Sequence, residues 1–129
     1  MKFFIIGIIF ISLLAGTTIY FMFLNDKPTT TSVASNVYIE KGNQIVEIRV
    51  KGGYFPQVTN ASSGLPTVLR FITSSTFDCS SALNIPSLNY QTNLPFSGNT
   101  DVPIPVPEQN TKLQGLCSMG MYNFIVNFN

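Results

Sequence analysis

The sequence GLCSMGMY at residues 115–122, followed at once by NFIVNF at residues 123–128, decides how this chain folds. Phe124, Val126 and Phe128 recur at every second position, which is the period of a β-strand with one buried face. The segment before them carries two glycines and is rich in sulfur. We therefore expect a sulfur-containing loop between the last two strands of the domain.

Short segments of the same kind recur from residue 36 to the C-terminus. Val46, Ile48 and Val50 alternate with charged residues, which predicts a strand with one apolar face. Seven or so short strands, without a helical period of any length, are typical of an all-β sandwich. Residues 84–100 are rich in Asn, Pro, Ser and Gly, so we expect a long irregular excursion there.

The segment at residues 101–106 combines a strand pattern with prolines. Val102, Ile104 and Val106 share one face, and the prolines occupy the positions between them. Proline cannot donate to a sheet ladder and is confined to edge strands. We therefore predict that this strand lies at the edge of a sheet.

An apolar stretch of 22 residues occupies positions 3–24, and about 20 residues are enough to span the hydrocarbon core. No small-x-small cleavage site follows closely, so residues 1–24 predict an uncleaved transmembrane helix rather than a signal peptide. The positive charge at the extreme N-terminus predicts a single-pass protein of the cell membrane with its domain on the extracytoplasmic side. Residues 25–35, rich in hydroxyl groups, predict a linker, which leaves residues 36–129 as the folded domain.

Charge and composition exclude several function classes. From residue 36 onward the chain has five basic and five acidic residues, so it offers no basic stripe to phosphates and we expect no nucleic-acid partner. The chain contains no histidine, and no serine has a histidine or lysine beside it in its motif. Nucleophilic catalysis needs such a partner, so we expect a protein that is not an enzyme.

The sulfur atoms indicate a metal. Cys117, Met119 and Met121 place one thiol and two thioethers within five residues, and Cys79 supplies the second thiol. Thiolates and thioethers are soft ligands that select Cu(I), whereas zinc favours cysteine together with histidine. Cu(I) has no strong geometric demand, so two thiolates with one or two thioethers suit it. We predict a Cu(I) site formed by these four side chains.

Each of these residues has an alternative interpretation. Cys79 and Cys117 could form a disulfide, because disulfides persist outside the cytoplasm and closing a loop of this size contributes about 3–4 kcal/mol. Met119 and Met121 could fill the core, as methionine often does. Asp78 is expected to be a solvated turn residue. With a disulfide, the protein would be a non-metal structural or interaction domain. A separate alternative is a one-electron carrier.

Four segments, in order, resemble the cupredoxin-like domains of bacterial membrane-associated copper proteins. The segments are VKGGYFP (residues 50–56), GLPT with its following strand (64–71), Cys79 with the Ile-Pro pair at 85–86, and CSMGM (117–121). The resemblance implies a Greek-key β-sandwich in which one ligand from an inner strand lies beside a loop between the last two strands. It also implies a role in copper delivery or sequestration, with a copper donor or acceptor protein as partner.

The same resemblance assigns positions to the ligands. Cys79 stands where ordinary blue-copper domains carry their first histidine, and Cys117 matches the loop cysteine. Met121 matches the axial methionine, and Met119 falls near the second histidine. Because both histidine positions differ, the chain resembles the sulfur-ligand type rather than an electron carrier. Packing residues at this end of the sandwich are expected to be Tyr54, Phe55 and Pro56.

Overall fold

The computed structural model describes residues 35–129 of the chain. The predicted membrane anchor at residues 1–24, and all but the last residue of the predicted linker at 25–35, lie outside the described residues. Between residues 35 and 129 the helical elements are two short 3-10 helices, neither of them long and apolar enough to cross a membrane. The rest of this part consists of strands and turns, so the predicted all-β class is confirmed.

Ten strands build the described part of the chain, more than the seven or so expected. They are β1 (Val37–Glu40), β2 (Asn43–Val50), β3 (Tyr54–Phe55), β4 (Val58–Ala61), β5 (Thr67–Thr73), β6 (Ala82–Ile85), β7 (Tyr90–Asn93), β8 (Gly98–Ile104), β9 (Thr111–Cys117) and β10 (Asn123–Phe128), with 3-10 helices at Cys79–Ser81 and Pro86–Leu88. One sheet has the order β1-β2-β5-β8, with β3 paired to β2, and the other has the order β4-β10-β9-β6-β7.

The two sheets share one apolar core. In β2, Val46, Ile48 and Val50 are fully buried, as their alternation predicts, and β10 contributes Phe124 and Val126 from the other sheet. Burying an apolar side chain of this size stabilises the folded state by roughly 1.5–3 kcal/mol. The described residues therefore form a sandwich of two layers.

Strand β8 is an edge strand, as its prolines predict. It pairs with β5 alone among the described strands, and Pro103 lies opposite Val68. Val102 and Ile104 are buried, whereas Val106 is 54% exposed because the strand ends at Ile104. The prediction that Val106 shares one face with Val102 and Ile104 is therefore wrong.

The irregular excursion predicted for residues 84–100 is wrong over most of its length. The stretch contains the end of β6, a 3-10 helix, all of β7 and the start of β8. Leu83 and Ile85 are fully buried, so β6 is an inner strand between β7 and β9. Strand β7 is polar because it lies at the edge of its sheet and is partly exposed to solvent. Such a composition resembles that of a loop when only the sequence is considered.

An ion cluster joins three strands on the outer face of the first sheet. Arg70 donates to both carboxylate oxygens of Asp101 at 2.8 Å and to Glu40 at 2.7 Å. The hydrogen bond to Asp101, followed by that to Glu40, raises the pKa of Arg70, and the hydrogen bond from Arg70 lowers the pKa of Asp101. The cluster links β1, β5 and the edge strand β8 on the solvent side.

Candidate metal centre

The two cysteines meet at one end of the sandwich, although they are 38 positions apart in sequence. Cys117 is the last residue of β9 and is fully buried, whereas Cys79 begins the 3-10 helix before β6 and is partly exposed. Their Sγ atoms lie 3.2 Å apart, and both are free thiols. The resemblance placed the first ligand on an inner strand. The structure places it on the turn that enters such a strand.

Pairing between β6 and β9 explains why the cysteines converge. Leu83 of β6 lies opposite Cys117 of β9, and the Ser118 N–H donates to the Ala82 carbonyl at 2.9 Å. The helix that carries Cys79 immediately precedes this paired segment. The thiol of Cys79 is therefore delivered to the end of β9 by a contact between strands that are distant in sequence.

Asp78 holds the helix that carries Cys79. One carboxylate oxygen accepts the Ser80 N–H at 2.9 Å and the Ser80 hydroxyl, and the other accepts the Gly52 N–H at 2.8 Å. The hydrogen bond from the Ser80 hydroxyl is the main cause of the lowered pKa of Asp78. Asp78 therefore caps the 3-10 helix and connects it to the turn at Gly52, whereas we expected a solvated turn residue. Asp is among the residues preferred at a helix N-cap, and that preference could have identified it.

The loop after Cys117 closes around the sulfur of that residue. The Cys117 N–H donates to the Tyr122 carbonyl at 2.9 Å, and the Gly120 N–H donates to the Cys117 carbonyl at 2.8 Å. Gly120 has a φ of +71°, a conformation that glycine adopts without steric cost. The turn brings the Tyr122 N–H to 3.5 Å from the Cys117 Sγ atom. The sulfur therefore faces a backbone donor within its own loop.

The surroundings of the two thiols shift their pKa values in opposite directions. Burial opposes ionisation of Cys117, but the N–H of Tyr122 and the thiol of Cys79, with two further loop N–H groups, hold the pKa of Cys117 below its usual range. The hydrogen bond to Cys117, followed by burial, raises the pKa of Cys79. Cys117 is therefore the first of the pair to lose its proton, and the remaining proton lies on Cys79.

Tyr54 supports the thiol pair from the core. Its hydroxyl donates to the Ser80 carbonyl at 2.9 Å, and its ring packs edge-on against Phe124 with centroids 5.2 Å apart. Burial, and then the negative charge of Cys117, raises the pKa of Tyr54. The phenol is therefore a neutral donor that holds the helix carrying Cys79.

The structure separates Tyr54 from the two residues that follow it. Phe55 is 50% exposed, and a Cβ atom at Gly53 would lie 3.4 Å from its ring and 3.5 Å from the ring of Tyr122. Pro56 lines a surface cavity with Arg49 and other residues of β1 and β2, and neither cysteine lines that cavity. Of the three residues expected to pack at the site, Tyr54 lies against it, Phe55 lies at its rim and Pro56 does not take part.

Gly115 provides space for an aromatic ring next to the site. It lies opposite Phe124 in the β9–β10 ladder, and a Cβ atom at Gly115 would lie 2.2 Å from that ring. Phe124 in turn packs against Tyr54. The absence of a side chain at Gly115 therefore allows the ring packing that holds Tyr54 beside the thiols. The sequence shows no reason for this glycine, because a lone glycine in a strand does not reveal what approaches it.

Met119 and Met121 are exposed by 73% and 65%, so the alternative in which they fill the core is wrong. They flank Gly120 in the loop that closes on Cys117. The structure thus brings the two thiols into contact and leaves both thioethers on the surface of the adjoining loop.

The donor atoms at this end of the sandwich are soft. Across residues 35–129, no group of three or more His, Cys, Asp and Glu side chains converges on a metal position. Both carboxylate oxygens of Asp78 already accept hydrogen bonds. The thioethers of Met119 and Met121 are the soft side chains of the adjoining loop, and two thiols with thioethers suit Cu(I) better than harder ions.

Comparison with known proteins shows the fold. No protein-family model and no curated protein matches the chain. The chain is similar to the NMR solution structure of a copper binding protein in the apo form, with 24% identity, a TM-score of 0.64 and coverage of 72% of this chain and 94% of that one. It is also similar to the metal binding domain of the Cu(I)-exporting P-type ATPase CopA of Streptococcus pneumoniae D39, determined with Cu(I), at 16% identity and a TM-score of 0.63, covering 72% and 92%.

Proposed function

We propose that this chain is a membrane-anchored copper-binding protein whose extracytoplasmic domain holds Cu(I) with sulfur ligands. One observation carries the proposal: two free thiols lie 3.2 Å apart at the end of the sandwich, beside a loop with two exposed thioethers. Two solved structures of the same fold are copper proteins, one of them determined with Cu(I). That likeness supports the choice of metal.

The proposed ligands are the thiolates of Cys79 and Cys117 and the thioether of Met121, with Met119 as a fourth. At the tetrahedral zinc–sulfur distance of about 2.3 Å, taken here as a scale for Cu(I), two sulfur ligands of one ion would lie about 3.8 Å apart. The thiol pair would therefore open by roughly half an ångström to admit the ion. Cys79 is partly exposed at the start of a short helix, so we expect it to make this movement.

The fold is proposed to be a Greek-key, cupredoxin-like sandwich at residues 36–129, preceded by the linker and the single-pass anchor. Support comes from the two-layer architecture and from the ordered segments described above. The thiols lie where the helix before β6 meets the loop between β9 and β10. In this proposal the membrane segment keeps copper handling at the cell surface.

The proposed role is copper delivery or sequestration rather than catalysis. The chain has no histidine, and the Ser80 hydroxyl next to the site is fully buried and donates to the Asp78 carboxylate that caps the helix. Cys79 and the two exposed methionines are open to an incoming copper donor or acceptor, whereas Cys117 is buried. Such an arrangement allows ligand exchange on one side while one thiolate keeps hold of the ion.

A disulfide-stapled structural domain is the second candidate, and the closeness of the thiols favours it as well. Sulfur atoms at 3.2 Å need only a small movement to reach the bonded distance of about 2.05 Å. A one-electron carrier has no comparable support, because the chain lacks the histidines of blue-copper sites.

Anaerobic competition with a chromophoric Cu(I) chelator tests the proposal on the reduced full-length chain in detergent. We expect about one Cu(I) per chain and no displacement by Zn(II). A thiol titration on the same sample separates the two candidates. If both thiols are free and the chelator still keeps all the copper, the copper proposal is wrong. Resistance of a Cys79–Cys117 bond to mild reductant would favour the structural domain.

A further inference from the structure

The two thiols are placed for oxidation as well as for metal binding. Their Sγ atoms lie 3.2 Å apart, so they would have to approach by about 1.2 Å to reach the disulfide distance of about 2.05 Å. Cys79 belongs to a 3-10 helix of three residues, and we expect such a short element to shift by this amount more readily than a strand does. The reduced pair is therefore close to the geometry of its oxidised form.

The two thiols differ in their access to solvent. Cys79 is partly exposed, whereas Cys117 is fully buried. A metal ion in solution can therefore reach the pair from the side of Cys79. The thiol of a second protein molecule cannot reach Cys117 in the folded domain, and the chain has no third cysteine. Oxidation of Cys117 to a disulfide therefore has to use Cys79 as its partner.

The donors around the pair are unsuited to keeping copper as Cu(II). Cu(II) favours nitrogen and oxygen ligands in a square arrangement. The chain has no histidine, and both carboxylate oxygens of Asp78 already accept hydrogen bonds. A Cu(II) ion that arrives at Cys79 meets soft sulfur donors, which favour Cu(I) and can also supply electrons. The site therefore favours reduction of Cu(II) over its storage.

We propose that the thiol pair reduces Cu(II) to Cu(I). Two Cu(II) ions each accept one electron, the two S–H bonds break with release of two protons, and one S–S bond forms between Cys79 and Cys117. The thioethers of Met119 and Met121 are exposed and remain as ligands for the Cu(I) that forms. A dithiol reductant then has to restore the thiols before the pair can react again.

This inference deepens the proposed function and rests on it, because it takes copper as the cargo of the site. It adds the oxidation state in which the copper arrives. The disulfide, which the structural alternative treats as a permanent staple, becomes in this proposal the product of one round of reduction.

The test uses the reduced full-length chain in detergent, freed of reductant and oxygen and mixed with two equivalents of Cu(II). Electron paramagnetic resonance follows Cu(II). Free thiols are then alkylated and counted by mass, and a chromophoric chelator added last counts Cu(I). We expect the Cu(II) signal to disappear, with one Cu(I) formed for each of the two thiols. The chain should resist alkylation, weigh two hydrogen atoms less and remain a monomer in electrophoresis without reductant.

Two single-thiol variants form a matched pair, because one keeps the buried thiol and the other the accessible one. Cys79→Ser should reduce Cu(II) severalfold more slowly than the parent, since no accessible thiol is left. Cys117→Ser should react through Cys79, yield half as much Cu(I) per chain as the parent and form covalent dimers. Circular dichroism checks that both variants fold, and the stoichiometry of the parent tests the proposal without them.

Several results would overturn the reduction. They are a Cu(II) signal that persists while both thiols stay free, covalent dimers of the parent, and a Cys117→Ser variant that forms as much Cu(I) as the parent. The proposed function fails in a different way. If the chain reduces Cu(II) but the reduced chain cannot compete with the chelator for Cu(I), the Cu(I) site is contradicted and the reduction is supported. Tight Cu(I) binding by a chain that leaves Cu(II) unreduced would overturn the reduction alone.

Discussion

Cys117 and Cys79 reach the same point in space by different means. Cys117 ends a strand whose neighbours on both sides are hydrogen-bonded to it, and its sulfur is buried beside the Tyr122 N–H. Cys79 begins a three-residue 3-10 helix that depends on the side chain of Asp78 and on the Tyr54 hydroxyl. One thiol is placed by a backbone ladder, and the other by two side chains.

The difference indicates a division of labour between the two proposed ligands. A ladder position resists movement, because several backbone hydrogen bonds must break together. A short helix held by side chains can shift by a fraction of an ångström at small cost. We therefore expect Cys117 to act as the fixed thiolate and Cys79 as the adjustable one, and the following variants test this contrast.

The largest expected effect comes from removing either thiol. Cys117→Ser and Cys79→Ser should each lower Cu(I) affinity by more than the roughly 10- to 100-fold that loss of an outer-shell partner causes, because each removes a negatively charged ligand. Chelator competition measures the change, with circular dichroism to check folding. Met121→Leu, which is nearly isosteric, serves as the matched control and should cost less. If Cys79→Ser binds as tightly as the parent, Cys79 is not a ligand.

The next effect is on stability, through the ladder that carries Cys117. Gly115→Ala would place a methyl group 2.2 Å from the Phe124 ring, so we expect it to destabilise the fold by about 1–3 kcal/mol or more. Urea unfolding measures the loss. Gln114→Ala is the control, since it places the same side chain at the neighbouring, exposed position of β9. Equal losses for the two variants would show that the Phe124 contact has no special weight.

Asp78→Asn should act on the adjustable thiol. An amide cannot accept from both Ser80 and Gly52 as the carboxylate does, so the helix that carries Cys79 loses part of its support. We expect Cu(I) affinity to fall by roughly 10- to 100-fold and the fold to lose about 1 kcal/mol. Chelator competition and urea unfolding measure these two quantities. An unchanged affinity would mean that Asp78 does not position Cys79.

The same variant has a defined pH dependence. Because the folded state lowers the pKa of Asp78, mainly through the Ser80 hydroxyl, its stabilising effect is present above the unfolded-state value of about 3.9. The effect is lost as the pH falls through the lower folded-state value. The stability difference between parent and Asp78→Asn should therefore be constant near neutral pH and shrink below about pH 4. A difference that grows on acidification would contradict this assignment.

Asp101→Asn has the smallest expected effect and sets the baseline. It weakens the cluster with Arg70 on the outer face of the sheet, far from the thiols. Exposed ion pairs contribute little, so we expect a loss below about 1 kcal/mol that fades at high salt. Urea unfolding and chelator competition should show a small change in stability and none in Cu(I) affinity. A drop in affinity like that of Asp78→Asn would mean that copper binding follows general stability.

Strands with one buried face could be predicted from the sequence, and strands with few buried side chains could not. Val46 and Phe124 belong to alternating patterns that are visible in the sequence because burial itself has a period of two. Strand β7 has no such pattern, since both of its faces are partly or fully exposed at a sheet edge. The exposure of Val106 depends on where β8 stops pairing with β5, and the sequence pattern does not mark that point.

The sequence by itself determined the all-β class and the soft, histidine-free chemistry of the candidate site, because both depend on residue types and their spacing. Tertiary structure alone decided that Cys79 meets Cys117, that Asp78 clamps the helix and that Gly115 accommodates Phe124. These contacts join residues from separate strands and turns. Their partners are selected by sheet pairing and core packing, which no local pattern records.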